Sequence, residues 1–348
     1  MPAIDFNAAN TEIADDVEGP PKIGGQRQQR QTDSQRFHWS IIHGEDGGPA
    51  LPATRAGVFR GHRWGGSVSC QMMPNLKDVI TALEQLAPPR LAAEWDNVGL
   101  LVGTARPTIT RLMTCLTLTP EVAREAVAEQ ADLVVSHHPL PFRPVKRITN
   151  ETATGSVLLE LLATGIGVWS GHTAWDSAAG GINRLLAETL DLEHVGPIEP
   201  DEASPDTGFG RMGTAPAGRT VADLARGLTA LLGCPGCHVA GTAERAAGRV
   251  GIVCGSGGES VATVAAAGCQ TLVTGEIKLH DALAAVAHDL AVVAVGHHAS
   301  ERFAMEVLAD RIASSLPEVH CWASRTEADP LVWLPADPQA APAADVRN

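Results

Sequence analysis

The chain has 348 residues, 44% of them hydrophobic, which is long and apolar enough for two domains with a sizeable core. Forty acidic residues against 26 basic ones leave a net charge of −14, which disfavours a general nucleic-acid-binding surface. No apolar run approaches the ~20 residues of a membrane span, and the acidic start MPAIDFNAANTEIADD has no secretory core, so a cytoplasmic protein with reduced thiols is expected.

Residues 1–71 differ from the rest. The run GGQRQQRQTDSQR is polar and nearly free of aliphatics, so it cannot bury a core. Disorder is the expectation for 1–71, with translation beginning at Met72 or Met73 as the other reading. Order is expected from Asn75, a helix N-cap followed by Leu76, Val79, Ile80, Leu83 and Leu86 at helical spacing. Pro88-Pro89 end that helix. The polar cluster Glu94-Trp95-Asp96-Asn97 then leads into an apolar strand and reads as a loop lining a site, or more plainly as a turn against a buried tryptophan.

A strand around Arg111–Leu118 follows, then a helix opened by Thr119-Pro120 and running to about Gln130. Leu133–Val135 is a β-branched run that ends in Ser136, His137, His138 and Pro139. Proline cannot donate to a ladder, so two imidazoles are left at the C-terminal edge of a strand, where open α/β sheets place their sites. A helix over Ser156–Ala163 and a strand over Ile166–Ser170 come next, and just beyond that strand GHTAWD carries His172 and Asp176. Ile182–Leu190 reads as a helix. The halves are expected as 72–195 and 220–335, separated by a Pro/Gly/Asp-rich connector over 196–219, with a disordered tail over 336–348.

The second half repeats the alternation of strand and helix that marks an α/β fold. Thr220 caps a helix through Leu232, and Gly233 stops it. The C-P-G-C-H string at Cys234, Cys237 and His238 matches a haem-attachment, zinc or redox motif, but with no export signal and no second CxxC it reads as a turn. Val250–Cys254 feeds the glycine-rich GSGGES, which can present N–H groups to phosphate. Leu272–Thr274 leads into GEIKLH, with Glu276 and His280. Ala291–Val295 delivers Gly296, His297, His298, Ala299, Ser300 and Glu301, and a helix then runs to about Ala313.

Three strand ends thus carry metal-type ligands: His137 with His138, His172 with Asp176, and His297 with Glu301. Two of these pairs are four residues apart, so one helical turn puts both side chains on one side. Imidazole with carboxylate suits Zn, Mn, Fe or Ni. So many groups exceed the needs of one tetrahedral zinc and point to two divalent ions with a bridging carboxylate, about 3.5–4 Å apart and able to activate a shared water. No GxSxG elbow offers a nucleophilic alternative.

The motifs LAAEWDNVGLLVG, DLVVSHHPL, SGHTAWDSAAGGIN, GFGRMG, VGIVCGSGGES, LVTGEIKLHDAL and VGHHASER, in this order, resemble the NIF-three-like dinuclear metal-centre family, whose members are called type 2 GTP cyclohydrolase I homologs. The resemblance covers roughly Leu76 to Leu334. It implies two similar α/β halves with the metal site between them and five metal-binding positions: His137, His138, Asp176, His297 and Glu301, with Glu301 as the bridge. His172 lies at a family motif position beside them and takes an acid–base or supporting role rather than ligation. The resemblance also implies a toroidal homohexamer with its metal sites facing an inner cavity; the acidic balance disfavours nucleic acid threading that ring.

The leading reading is therefore a metal-dependent hydrolase of GTP cyclohydrolase type, attacking C8 of the purine and opening the imidazole ring. His172, or His280 if it reaches the cleft, would shuttle the proton. The other reading is a non-enzymatic, ring-shaped metal-binding, regulatory or metal-insertion protein.

Overall fold

Short β-branched runs alternating with capped amphipathic segments build two sheets with helices between and outside them. The computed structural model describes residues 73–334, so the expectations for 1–71 and for the tail over 336–348 lie outside the described residues.

The first half begins with α1 (Leu76–Leu86). The Asn75 side chain accepts from the N–H groups of Lys77 and Asp78, and Asp78 accepts from the N–H of Asn75 in return. This reciprocal cap satisfies donors that a helix start otherwise leaves free. Then come β1 (Gly99–Val102), β2 (Arg111–Cys115), α2 (Pro120–Ala128) and β3 (Leu133–Ser136). They are followed by α3 (Ala153–Thr164), β4 (Gly167–Ser170), α4 (His172–Ser177) and α5 (Ile182–Thr189). Strands β2, β3 and β4 are parallel, and β1 adds antiparallel on the β4 edge. Every residue of β3 and β4 is buried, as parallel strands covered on both faces must be.

The second half holds β5 (Glu193–Gly196), β6 (Glu199–Asp201), β7 (Ser204–Phe209), β8 (Arg211–Thr214) and α6 (Val221–Leu232). It continues with β9 (His238–Ala240), β10 (Arg249–Val253), α7 (Val261–Ala266), β11 (Thr271–Thr274) and α8 (Leu279–Ala287). The chain ends with β12 (Ala291–Ala294), α9 (His297–Arg302), α10 (Ala304–Ser315) and β13 (His320–Ala323). The second sheet runs β5-β8-β10-β11-β12-β9, with β10, β11 and β12 parallel at its centre.

One apolar cluster joins the two sheets. It takes Leu112, Leu133 and Trp169 from the first and Ile252, Val273 and Val293 from the second, with Leu83, Leu186, Leu228 and Leu308 of the helices between them. Smaller clusters cover the outer faces, Val122 and Leu161 against the first sheet and Val264 and Ala285 against the second. None of the described helices is long and apolar enough to cross a membrane.

Two stretches differ from the expected organisation. Residues 196–219 are not a bare connector: β6 and β7 form a hairpin, and β8 enters the second sheet beside β10. Pro200, Asp201, Pro205 and Asp206 read as loop, but they fall in the two-stranded β6–β7 hairpin, where both strands are edges and tolerate them. The chain end also returns to the first half, where β13 pairs parallel with β2, His320 opposite Arg111. The sheets are therefore not successive along the chain, because α10 and β13 follow the second sheet yet complete the first. The Cys234–Cys237 stretch is a turn after the left-handed Gly233 cap (φ 67°), and both thiols are free.

Candidate metal centre

The ladder of β3 extends one step past the strand. His137 N–H donates to the Cys115 carbonyl at 2.9 Å and His138 N–H to that of Leu116 at 2.8 Å. Pro139 has no N–H and the pairing stops there. The rings of His137 and His138 lie 5.2 Å apart. β4 ends at Ser170 and, after Gly171, α4 begins at His172, which adopts φ +25°, an uncommon backbone conformation for a residue with a side chain. One turn further on is Asp176. β12 delivers α9, which carries His297 and Glu301 on one face.

Glu301 stands at the centre and is only 3% exposed. Its Oε2 lies 3.1 Å from His138 Nε2 and 3.1 Å from His297 Nε2. Its Oε1 faces the other way, 3.9 Å from His137 Nε2, which is in turn 3.6 Å from Asp176 Oδ1. The two oxygens of one carboxylate thus face two different sets of ligand-type groups. All five residues implied by the family resemblance are brought together here.

These groups fit a divalent metal. Both ring nitrogens of His137 and Oδ1 of Asp176 are buried without a hydrogen-bond partner. Such an atom costs about 1–3 kcal/mol and calls for an explanation, which a cation supplies. Gly255 (φ +63°) closes the cradle: a Cβ there would run into Glu301 Oε1 and His297 Nε2. The ligand-type atoms of His138, His297 and Glu301 lie within 4.8 Å of one another, and so do those of His137, His138 and His172. His172 is therefore nearer the cluster than its expected supporting role required.

Electrostatics point the same way. Burial pushes His137 down to about 3, so it stays neutral, the form that ligates metal. Burial, with Glu301 nearby, raises Asp176 to about 8. The Glu301 carboxylate raises His297 to about 9. Burial works against charge on Glu301 itself, yet hydrogen bonds from His138 and His297 hold its carboxyl far below the usual range. Two neighbouring carboxylates, Glu301 buried and Asp176 partly so, with Asp176 pushed towards its neutral form, are the arrangement a cation relieves.

Behind these side chains lie supporting groups: Asp96 and Glu276, from the polar loop and the GEIKLH motif, and Thr117 and Thr173, which the sequence did not single out. Asp96 Oδ1 is 2.7 Å from His172 Nδ1, and its Oδ2 accepts from the N–H and hydroxyl of Thr173. Burial opposes ionisation of Asp96, but these bonds hold it at about 2. Thr117 Oγ1 is 2.8 Å from His138 Nδ1, and Glu276 is 3.4 Å from His297 Nδ1. Such partners orient ligating imidazoles. Asp96 was visible only as part of a polar loop, because its partner is 76 positions away.

His280 is not brought to the site. It is exposed on α8, while its neighbours Lys278 and Asp281 line the cleft beside the cluster. A helix turns about 100° per residue, so a position two after Lys278 points elsewhere.

The family model described as Duf34/NIF3 (NGG1p interacting factor 3) matches residues 74–330. The chain belongs to the DUF34/NIF3 family. A GTP cyclohydrolase 1 type 2 homolog of Streptomyces coelicolor is 34% identical over 268 residues, covering 74% of this chain and 94% of the relative. One of Clostridium perfringens is 29% identical over 260 residues, covering 74% of this chain and 99% of the relative. The crystal structure of a Bacillus cereus protein related to NIF3 matches with a TM-score of 0.70 at 20% identity, over 76% of this chain and all of that one (100%). The α/β arrangement described above is thus the DUF34/NIF3 fold.

Proposed function

We propose that this DUF34/NIF3 protein binds two divalent metal ions between its sheets and hydrolyses a purine nucleotide, with ring opening of GTP as the leading case. One observation carries the reading: the oxygens of Glu301 face two separate ligand sets, His137 with Asp176 and His138 with His297. The names of the relatives, GTP cyclohydrolase 1 type 2 homolog, support the substrate class. His137, Asp176 and Glu301 would hold one ion, and His138, His297 and Glu301 the other. Bound there, such ions supply a water acidified towards neutral pH and a Lewis acid for the attacked bond.

The chain's own residues do the rest. Asp96 fixes the tautomer and orientation of His172 through Nδ1. His172 Nε2 is then free to take a proton from the attacking water and to pass it to the ring nitrogen that leaves C8 as the C8–N bond breaks. The homohexamer belongs to the same proposal.

The test uses the purified, metal-loaded chain. GTP should lose its purine absorbance with stoichiometric cleavage, and His172→Ala should slow this about 100-fold or more while keeping its metal. Light scattering on the same preparation should give a hexamer rather than a monomer. Two bound ions with no loss of purine would overturn the hydrolase reading in favour of a non-enzymatic metal-binding protein.

A further inference from the structure

Two large aromatic side chains stand open to solvent beside the metal cluster. Trp95 is 67% exposed and Phe142 45% exposed. They pack edge-on against each other at 6.1 Å, and each lies edge-on to His172, at 6.0 and 6.1 Å. The row of rings continues inward, from His172 to His137 at 5.2 Å. Trp95 also lines the cleft that holds His138 and His297. Neither ring belongs to the buried core, so packing does not account for them. Their loops are tied together, since the Asn97 side-chain amide donates to the Pro141 carbonyl at 2.7 Å. One indole and one phenyl ring are therefore held in place, with their outer surfaces uncovered by the described residues.

The loop that carries Phe142 is also basic. Arg143, Lys146 and Arg147 follow it within five residues, all exposed. Among the described residues none of the three has an ion-pair partner, although the whole chain carries a net charge of −14. Three cations without an ion-pair partner among the described residues, on the loop that carries one of the two open rings, match a ligand with both a flat ring and negative charge.

We propose that Trp95 and Phe142 form the platform that receives the base of a nucleoside phosphate, with Arg143, Lys146 and Arg147 taking its phosphates. The proposal rests on the nucleotide-hydrolase reading and gives it a binding subsite. A base stacked there lies against His172, at the edge of the metal cluster, with its phosphates directed to the loop over 143–147.

The test is equilibrium binding of GTP, guanosine and a single-stranded oligonucleotide to the full-length, metal-loaded chain. GTP should bind. Trp95→Ala and Phe142→Ala should each weaken GTP and guanosine alike by about ten-fold or more, with metal content unchanged, and Trp95→Phe should restore most of the loss. R143Q/K146Q/R147Q should weaken GTP and leave guanosine as in the parent. Unchanged affinity in both alanine variants, or no GTP binding by the parent, would overturn the proposal. So would an oligonucleotide bound far more tightly than GTP, which would make this a nucleic-acid surface. Binding that depends on Trp95 without any turnover would sink the hydrolase reading and leave the platform standing. Turnover with undiminished binding in Trp95→Ala would sink the platform alone.

Discussion

Glu301→Gln should lose metal far more than it loses stability. The substitution keeps shape and removes the charge that both ligand sets share, Oε2 towards His138 and His297 and Oε1 towards His137. Partners one step behind a ligand already change metal affinity by about 10–100-fold, so loss of the shared ligand should exceed that range. Stability should hold, because Ala304, Met305 and Leu308 are buried in the core just after Glu301 and anchor α10. Removing a buried charge also relieves the cost of desolvating it. Asp176→Asn should behave alike. His298→Ala should keep its metal, since His298 lies outside both ligand groups. Elemental analysis of the dialysed variants reads this directly. Full occupancy in Glu301→Gln would contradict the shared role, and metal loss in His298→Ala would misplace the C-terminal histidine.

The largest stability loss is expected at Arg211. It is 1% exposed and has no carboxylate partner among the described residues. Its guanidinium instead donates to the carbonyls of Ser177 and Ala178 at the end of α4, and to those of Asp206, Gly208 and Gly210 before β8. Burial lowers its pKa to about 10, still far above neutrality, so the charge persists in the fold. Charge-assisted hydrogen bonds contribute about 1.5–3 kcal/mol each and do not add fully, and removal strands several buried acceptors. Arg211→Met should therefore destabilise by about 3 kcal/mol or more in denaturant unfolding. Arg211→Lys should recover little, because a single ammonium cannot replace a planar fork spanning two segments. Asp176 sits just before the carbonyls that Arg211 holds, so metal affinity should fall with stability. A Met variant within about 1 kcal/mol of the parent would mean that the cost of burying the charge offsets its bonds.

The site was legible to the extent that its residues sit at the ends of locally written elements. Ser136-His137-His138-Pro139 announces a strand that stops with two imidazoles, and Gly296-His297 followed by Glu301 announces a strand-to-helix bend. Asn75, Thr119 and Thr220 cap their helices through side-chain oxygens, as their positions before apolar repeats require. The rest depends on partners far apart in the chain. Asp96 reads as part of a polar loop until folding places it behind His172. β13 is four residues long and owes its place to β2, some two hundred positions earlier in the chain. No local pattern encodes such a pairing. Glu276 and His280 share one motif, yet the start of α8 between them turns His280 away from the cleft while Glu276 stays at it.

The central claim is that two divalent ions share Glu301. The most direct measurement is anomalous X-ray scattering, recorded at the metal's absorption edge, from crystals of metal-loaded protein. Two peaks should flank the Glu301 carboxylate, one beside His137 and Asp176 and the other beside His138 and His297. A single peak, or peaks away from Glu301, would contradict the account.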